Sequence, residues 1–452
     1  MKIIIVGAGI IGTNLAVSLS KENHEVFLIE VNEDVARKVD EKVDAKVFLG
    51  KGSDPAVLKG AGVEDADLVI AVTTSDETNL VVCNLATAFG AKRQIARVRD
   101  TALSASVHQL GCRQFGVDEI INPEEVAAQD IIKTIKTPGS REVADFADGR
   151  MLLRAFHVPE TSPLSSMRIG ELREEDFPWP FLIIALIRNS EVVIPSGSTV
   201  LEANDRIYVL LPSQSLGEFL TFVNPDIREA RKIIVYGATT TAEHVVNGLA
   251  QDISDIILIE EDPDKSAEMA SKLDNARIIN GSASEADILK ECGIEAADIF
   301  VATSLNDHSN LVSAVLAKKM GAQSAIIITQ QPDYLTIINA LNIDVIINPR
   351  LRAVDQILRL VRGKGIHTVT KLLESDCEAV EFVPDAGAPI TRDPLRQIKF
   401  PKNSIVGAVT RGDHVFLANG DTVIEEGDKV IVFCQEQAVK KLQALFTTRK
   451  VF

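Results

Sequence analysis

An internal duplication constrains the fold of this chain more than any other feature. KIIIVGAGIIG (2–12) and KIIVYGATTTA (232–242) open two similar segments, and IPSGSTVLEANDRIYVLL (194–211) recurs as LANGDTVIEEGDKVIVFC (417–434). Single residues recur at matching positions: Gly7, Glu30, Asp76 and Asn79 as Gly237, Glu260, Asp307 and Asn310. A repeat of this length predicts that the 452 residues form two copies of one unit, each with two parts.

The first part of each unit alternates apolar runs of strand length with helical segments. KIIIV (2–6), EVFLIE (25–30), LVIAV (68–72) and QIARV (94–98) are nearly continuous apolar runs. Strands of this kind are buried on both faces of a sheet. The pattern therefore predicts an α/β fold with a doubly wound parallel sheet of the Rossmann type.

The second part of each unit has strands that alternate apolar and polar residues, which predicts a small α+β domain. The segments NPEEVAAQDIIKTIK (122–136) and NPRLRAVDQILRLVR (348–362) have helical periodicity and join the two parts. The predicted boundaries are 1–122 for the first Rossmann subdomain, 123–140 for its connecting helix, 141–225 for the first small subdomain, and 230–348, 349–365 and 366–452 for their repeats.

GAGIIG (7–12) lies directly between a strand and a helix and has the spacing of a dinucleotide-binding turn. Gly7 allows the tight turn, Gly9 lets the backbone approach a pyrophosphate, and Gly12 lets the helix pack closely on the strand. Glu30 ends the second strand, where an acid accepts hydrogen bonds from ribose hydroxyls and repels a 2′-phosphate. The ligand predicted from this pattern is NAD(H), or ATP or ADP, in preference to NADP.

Three further residues occupy strand ends near this turn. Thr73 and Thr74 end the fourth strand; they either line the ligand crevice or merely end the strand. Arg97 is late in the fifth strand, where either a surface ion pair or a phosphate contact would explain it.

The second copy has lost most features of the site. Thr239 stands in place of Gly9, and Ala242 stands in place of Gly12. Leu305 and Ile328 replace Thr74 and Arg97. A β-branched side chain at position 239 should obstruct a pyrophosphate, so we expect weak or absent nucleotide binding in this half.

Composition removes several function classes. A chain with a net charge of −17 lacks the basic surface that a nucleic-acid-binding protein needs. Its densest apolar run, FLIIALI (181–187), is too short to span a bilayer. Five cysteines without a CxxC pair and seven scattered histidines predict reduced thiols in a cytoplasmic protein, with no metal site and no catalytic cluster. Two classes remain: a regulatory protein that binds a ligand without turnover, and an NAD-dependent oxidoreductase of unknown substrate.

MKIIIVGAGIIG, GKGSDPAVL (50–58), AVTTSDETN (71–79) and IARVR (95–99), followed by a degenerate second half, closely resemble the TrkA family. Its members are nucleotide-binding regulatory subunits of Trk potassium uptake systems, and the resemblance covers the whole chain. It implies tandem RCK (KTN) units, each with a nucleotide-binding N-subdomain and a smaller C-subdomain. It also implies a non-enzymatic homo-oligomer, taken here as a tetramer, peripheral on the cytosolic face of a potassium-conducting Trk membrane subunit.

The resemblance also implies a set of contacts. NAD(H), with ATP or ADP as alternatives at the same site, would be held in the first half by Gly7, Ala8, Gly9, Ile10, Ile11, Glu30, Thr73, Thr74 and Arg97. In the second half only Gly237 and Glu260 carry over, as weaker candidates. The connecting helices are expected to cross over and pack against a partner unit.

Overall fold

The computed structural model describes residues 1–22, 24–147, 149–172, 177–188, 191–225, 228–331, 334, 341, 343–362, 366–371, 377–435 and 438–448. The chain divides into two compact units. One consists of Met1–Ile132 with Arg231–Leu360, and the other of Lys133–Ala230 with Val361–Phe452. The two Rossmann halves therefore form one unit, and the two small subdomains form the other.

The first Rossmann half confirms the predicted sheet. Its elements are β1 Lys2–Val6, α1 Ile10–Lys21, β2 Glu25–Glu30, α2 Glu33–Asp40, β3 Lys46–Leu49, α3 Pro55–Gly60, β4 Leu68–Ala71, α4 Asp76–Phe89, β5 Gln94–Arg97, α5 Thr101–Leu110, β6 Glu119–Ile121 and α6 Pro123–Lys136. The strand order is β3-β2-β1-β4-β5-β6, and the paired strands are parallel. Ile3, Ile4 and Ile5 of the central β1 are 0% exposed, as expected where helices cover both faces.

The remaining elements repeat this plan after a small antiparallel sheet. They are β7 Ser140–Phe146, β8 Met151–His157, β9 Leu182–Arg188, β10 Glu191–Val193, β11 Arg206–Pro212, α7 Leu216–Val223, β12 Lys232–Tyr236, α8 Thr240–Leu249, β13 Asp255–Glu260, α9 Pro263–Lys272, β14 Arg277–Asn280, α10 Ala286–Glu291, β15 Ile299–Ala302, α11 Asp307–Lys319, β16 Ser324–Ile328, β17 Val345–Ile347, α12 Pro349–Arg362, β18 Ile366–Lys371, β19 Cys377–Phe382, β20 Ser404–Arg411, β21 His414–Leu417, β22 Lys429–Gln435 and α13 Val439–Phe446.

Sheet order shows the duplication directly. The second Rossmann sheet runs β14-β13-β12-β15-β16-β17, which is the order of the first. The small sheets run β7-β8-β11-β9-β10 and β18-β19-β22-β20-β21, again in matching order. Both are antiparallel.

An arginine at a strand end holds the same turn in both small subdomains. Arg188 donates from Nε and Nη2 to the carboxylate of Asp205 at 2.7 and 2.6 Å, and Asp205 is 2% exposed. Arg411 donates in the same way to Asp428, at 2.9 and 2.8 Å. Bidentate pairs of this kind fix geometry as well as adding energy, which explains why the repeat keeps these residues.

The connecting helices join the two Rossmann halves. A Cβ on Gly248 of α8 would lie 2.4 Å from Cδ1 of Ile132, so glycine allows α6 to approach α8 closely. Asp130 of α6 pairs with Arg352 of α12 at 2.9 Å. The helix α6 ends at Lys136, before Pro138. Each half therefore contributes its last helix to the contact with the other.

Candidate functional site

One cavity of about 1270 Å³ is lined by both Rossmann halves. It lies at the carboxyl ends of the strands, where open α/β sheets bind ligands. The predicted residues of the first half on its wall are Gly7, Gly9, Ile10, Ile11, Glu30, Thr73, Thr74 and Arg97. Gly237 and Glu260 of the second half line the same cavity. Sequence reasoning treated the two copies as separate sites and did not anticipate this shared space.

Each of the three positions in the first turn is occupied by glycine for a different structural reason. Gly7 has φ +104°, and a Cβ there would lie 3.0 Å from the Thr73 nitrogen. A Cβ on Gly12 would lie 1.8 Å from the carbonyl oxygen of Gly7. Around Gly9, by contrast, no described atom lies within 4 Å of the Cβ position. Packing therefore requires Gly7 and Gly12, whereas Gly9 leaves open space above the N-terminus of α1.

The two helix N-termini at the cavity differ. No side chain caps α1, whose N-cap residue is Gly9. In the second half the hydroxyl of Thr239 accepts the N–H of Ala242 at 3.2 Å and so caps α8 itself. Uncapped first-turn amides and the helix dipole favour an anion such as a phosphate. That arrangement is present at α1, whereas at α8 a side chain of the protein takes one of these amides.

A tyrosine further distinguishes the second half. Tyr236 stands where the first half has Val6 and is 3% exposed. Its hydroxyl donates to Oε1 of Glu261 at 2.6 Å. Burial, together with the adjacent Glu261 carboxylate, raises the pKa of Tyr236 to about 12. The phenol is thus a neutral donor at the end of β12, where the first half has an aliphatic side chain.

Glu30 supports the glycine turn. Its Oε2 accepts the N–H of Ala8 at 2.7 Å, and its Oε1 accepts the N–H groups of Val31 and Asn32, both at 2.9 Å. Ala8 itself is buried. A carboxylate has about four acceptor positions, so these three bonds leave room for one more donor. Sequence reasoning missed this backbone role.

Glu260 repeats the same contact in the second half. It accepts the N–H of Ala238 at 2.5 Å and that of Asp262 at 2.9 Å. The acid therefore shapes the turn after β12 whether or not a nucleotide binds there. This explains why Glu260 persists although the glycines around it have changed.

Asn79 connects two of the predicted residues. It is 0% exposed, and its Oδ1 accepts from the N–H and the hydroxyl of Thr73 at 2.9 and 2.7 Å. Its Nδ2 donates to the carbonyl oxygen of Arg97 at 2.9 Å. Asn310 makes the matching bonds to Ser304 and Ile328. Thr73 is therefore fixed at the cavity wall by its partner, and Thr74 beside it is exposed there.

Arg97 is buried, which corrects the surface ion pair considered above. It is 9% exposed, and its Nε has no hydrogen-bond partner among the described residues. Burial lowers its pKa, and the charges of Arg99 and Arg350 lower it further, against the opposing effect of Glu124 and Asp76. A buried guanidinium with an unused donor at a cavity wall suits an anionic ligand. Arg350, from α12 of the second half, was not singled out by sequence reasoning.

Within the part of the chain that the structure describes, no group of three or more His, Cys, Asp or Glu side chains is placed to hold a metal ion. None of the helices in this part has the length and apolar character needed to cross a membrane.

Comparisons with known proteins agree with the duplicated architecture. Residues 3–123 and 233–349 match the TrkA-N domain, and residues 153–224 and 379–447 match the TrkA-C domain. Solved structures of similar fold include the GsuK RCK domain, with a TM-score of 0.61, 17% identity and coverage of 98% of this chain and 94% of that one. Another is titled GsuK channel bound to NAD, with a TM-score of 0.62, 17% identity and coverage of 98% and 78%.

Full-length relatives carry a consistent name. The Trk system potassium uptake protein TrkA of Vibrio alginolyticus is 31% identical over 458 residues, covering 100% of both chains. The TrkA homolog of Archaeoglobus fulgidus is 31% identical over 450 residues, covering 99% of this chain and 100% of the relative. These are potassium uptake proteins and not enzymes, which removes the oxidoreductase alternative. The chain therefore belongs to the TrkA family of Trk-system potassium uptake proteins.

Proposed function

We propose that this chain is a nucleotide-binding regulatory subunit that gates potassium uptake through a Trk-type membrane channel or transporter. The observation that carries the proposal is the asymmetry of the shared cavity. On one side an uncapped helix N-terminus and an open glycine turn line the cavity together with a buried arginine that has an unused donor. On the other side a threonine caps the helix. Family membership supplies the link to potassium uptake.

In the proposed complex the phosphates lie on the first-turn amides of α1, above Gly7 and Gly9. A ribose hydroxyl donates to the remaining acceptor position of Glu30, and the far end of the ligand points toward Thr73, Thr74 and Arg97. NAD(H), ATP and ADP share the adenosine diphosphate part that this geometry suits. Solved structures of similar fold include a GsuK channel bound to NAD and GsuK bound to ADP.

For the second half we propose weak binding or none. Gly237 and Glu260 remain, but the capped α8 and the Tyr236–Glu261 pair stand where a ligand would lie. This half then serves as the opposite wall of the cavity. We also propose that the chain is divided into the six subdomains and connecting helices delimited from the sequence, from 1–122 to 366–452.

The proposed assembly is a homotetramer, peripheral on the cytosolic face of the membrane and docked on its potassium-conducting partner. A nucleotide can shift such an assembly between conformations only if these differ in their affinity for it. Exchanging NADH or ATP for ADP should therefore change potassium flux.

The test combines calorimetry with transport. The full chain is titrated with NADH, NAD⁺, ATP and ADP, and is then added to vesicles that contain a Trk-type membrane subunit. We expect nucleotide-dependent potassium flux with wild type and nucleotide-independent flux with Gly9→Val. A strictly monomeric protein at micromolar concentration, or flux unaffected by every nucleotide, would contradict the proposal.

A further inference from the structure

Three asparagines of this chain are followed directly by glycine: Asn247, Asn280 and Asn419. In such a pair the backbone nitrogen of the glycine can attack Cγ of the asparagine side chain, because glycine has no Cβ to hinder the approach. The attack closes a five-membered succinimide ring and releases ammonia, and water then opens the ring to aspartate or isoaspartate. The fold decides which of the three asparagines reacts, because the attacking nitrogen must not be held by another bond.

Two of these pairs lie in regular structure. Asn247 and Gly248 belong to α8, where each N–H after the first turn donates to the carbonyl oxygen one turn back. At the end of β14, Gly281 donates its N–H to the carbonyl oxygen of Glu260 at 2.9 Å. Nδ2 of Asn280 donates to the same oxygen, also at 2.9 Å. Reaction at either pair must break these hydrogen bonds, so the fold protects both asparagines.

The third pair lies in the turn between β21 and β22, and both Asn419 and Gly420 are exposed there. Among the residues that the structure describes, neither the N–H of Gly420 nor Nδ2 of Asn419 donates a hydrogen bond. The nitrogen that attacks Cγ and the nitrogen that leaves as ammonia are therefore both open to solvent. No bond of the fold has to break before the ring closes.

The turn also polarises the amide that is attacked. Oδ1 of Asn419 accepts the N–H of Asp421 at 3.0 Å and the hydroxyl of Thr422 at 3.3 Å. Addition of the glycine nitrogen to Cγ moves negative charge onto this oxygen. Donors that are already in place at the oxygen stabilise the developing charge, as they do in the oxyanion holes of enzymes.

The first small subdomain forms the equivalent turn without an asparagine. Ser196 stands in place of Asn419. The N–H of Ser196 donates to Oγ1 of Thr199 at 2.9 Å, as the N–H of Asn419 does to Oγ1 of Thr422 at 3.0 Å. The turn therefore does not need the side-chain amide in order to fold, and the reactive pair is a feature of the second copy alone.

We infer that the turn between β21 and β22 makes Asn419 a site of spontaneous deamidation, whereas Asn247 and Asn280 are protected in the folded chain. The reaction consumes one water molecule, releases one ammonia and adds one negative charge at position 419. Isoaspartate also lengthens the main chain by one carbon. The carbonyl oxygen of Gly420 accepts the N–H of Arg396 at 2.9 Å, so this product loosens the contact of the turn with the segment around Arg396.

Peptide mass spectrometry of the full chain, aged at mildly alkaline pH, tests this inference. We expect deamidation at Asn419 to be about tenfold or more faster than at Asn280, where the hydrogen bonds of both nitrogens must break first. In urea, where the fold is lost, the rates at Asn247, Asn280 and Asn419 should become similar. Equal rates in the folded chain, or the same ranking with and without urea, would overturn the inference.

Variants of the turn supply the controls. Asn419→Ser introduces the residue type of the first subdomain, so it should fold as wild type does and give no deamidated product at this position. Gly420→Ala should slow the reaction, because its Cβ hinders the attack. Thr422→Val removes one donor to Oδ1 and should slow the reaction about threefold; an unchanged rate would contradict the role of the turn.

Isoaspartate can also be detected directly, with a carboxyl methyltransferase specific for this residue and a labelled methyl donor. Aged wild type should take up the label, and aged Asn419→Ser should take up much less. Equal labelling of the two proteins would place the isoaspartate elsewhere in the chain and overturn the inference.

Discussion

Replacing Gly9 by valine separates the ligand role of the glycine turn from its role in the fold. Gly9 has φ −69° and ψ −169°, an extended conformation open to a β-branched residue. No described atom lies within 4 Å of its Cβ position. The variant should therefore fold as wild type does, because the smaller freedom of its unfolded chain offsets the preference for glycine over valine at this N-cap.

The expected effect lies in binding. The valine side chain would occupy the space above the first turn of α1, where phosphate oxygens would accept backbone N–H groups. A hydrogen bond to a charged group contributes about 1.5–3 kcal/mol. Losing two of them costs at least about 3 kcal/mol, which raises Kd by a factor of about 100 or more. Calorimetry with NADH, ATP and ADP measures this change, and thermal unfolding checks the fold.

Thr239→Val is the matched control in the second half. It removes the hydroxyl that accepts the Ala242 N–H, so it should cost about 1 kcal/mol of stability as a lost N-cap. It should leave nucleotide affinity unchanged. The two variants thus have opposite signatures: Gly9→Val loses affinity and keeps stability, whereas Thr239→Val does the reverse. Wild-type affinity in Gly9→Val would refute the placement of the phosphates.

Three further predictions follow from individual side chains. Asn79→Ala should lower stability by about 1–3 kcal/mol for each buried group left unpaired and should also weaken nucleotide binding, whereas Asn310→Ala should lower stability alone. Denaturant unfolding measures the stability of each variant and calorimetry its nucleotide affinity; equal effects of the two variants on affinity would contradict a binding site confined to the first half. Because the pKa of Tyr236 is raised to about 12, its contribution to the free energy of unfolding is complete below about pH 10 and is lost as pH rises toward 12. Between these pH values the free energy of unfolding of Tyr236→Phe should fall less steeply than that of wild type, and equal slopes for the two proteins would argue against this contribution. Iodoacetamide should label the half-buried Cys112 of the native protein before Cys83, whose thiol pKa is raised by burial to about 12; mass spectrometry reads the order, and equal rates would exclude it.

Local patterns in the sequence predicted much of the first half of the site. Gly7 and Gly12 could be recognised because a tight turn and a close helix contact restrict the residue type at single positions. The exchange of Gly9 for Thr239 predicts weak or absent nucleotide binding in the second half, and the structure adds that the threonine caps α8. The roles of Asn79 and Asn310 were not predicted, because their bonds reach strand ends that periodicity alone does not bring together.

The sequence by itself determined the duplication, the α/β class and the order of turn, strand and helix, because each of these depends on residues close together in the chain. Only the tertiary structure decided that both halves face one cavity, that Arg97 is buried there and that Arg350 approaches it from the other half. The physical reason is that these contacts depend on how α6 and α12 pack across the two sheets. That packing is set by pairs such as Asp130 with Arg352, whose partners lie far apart in the chain.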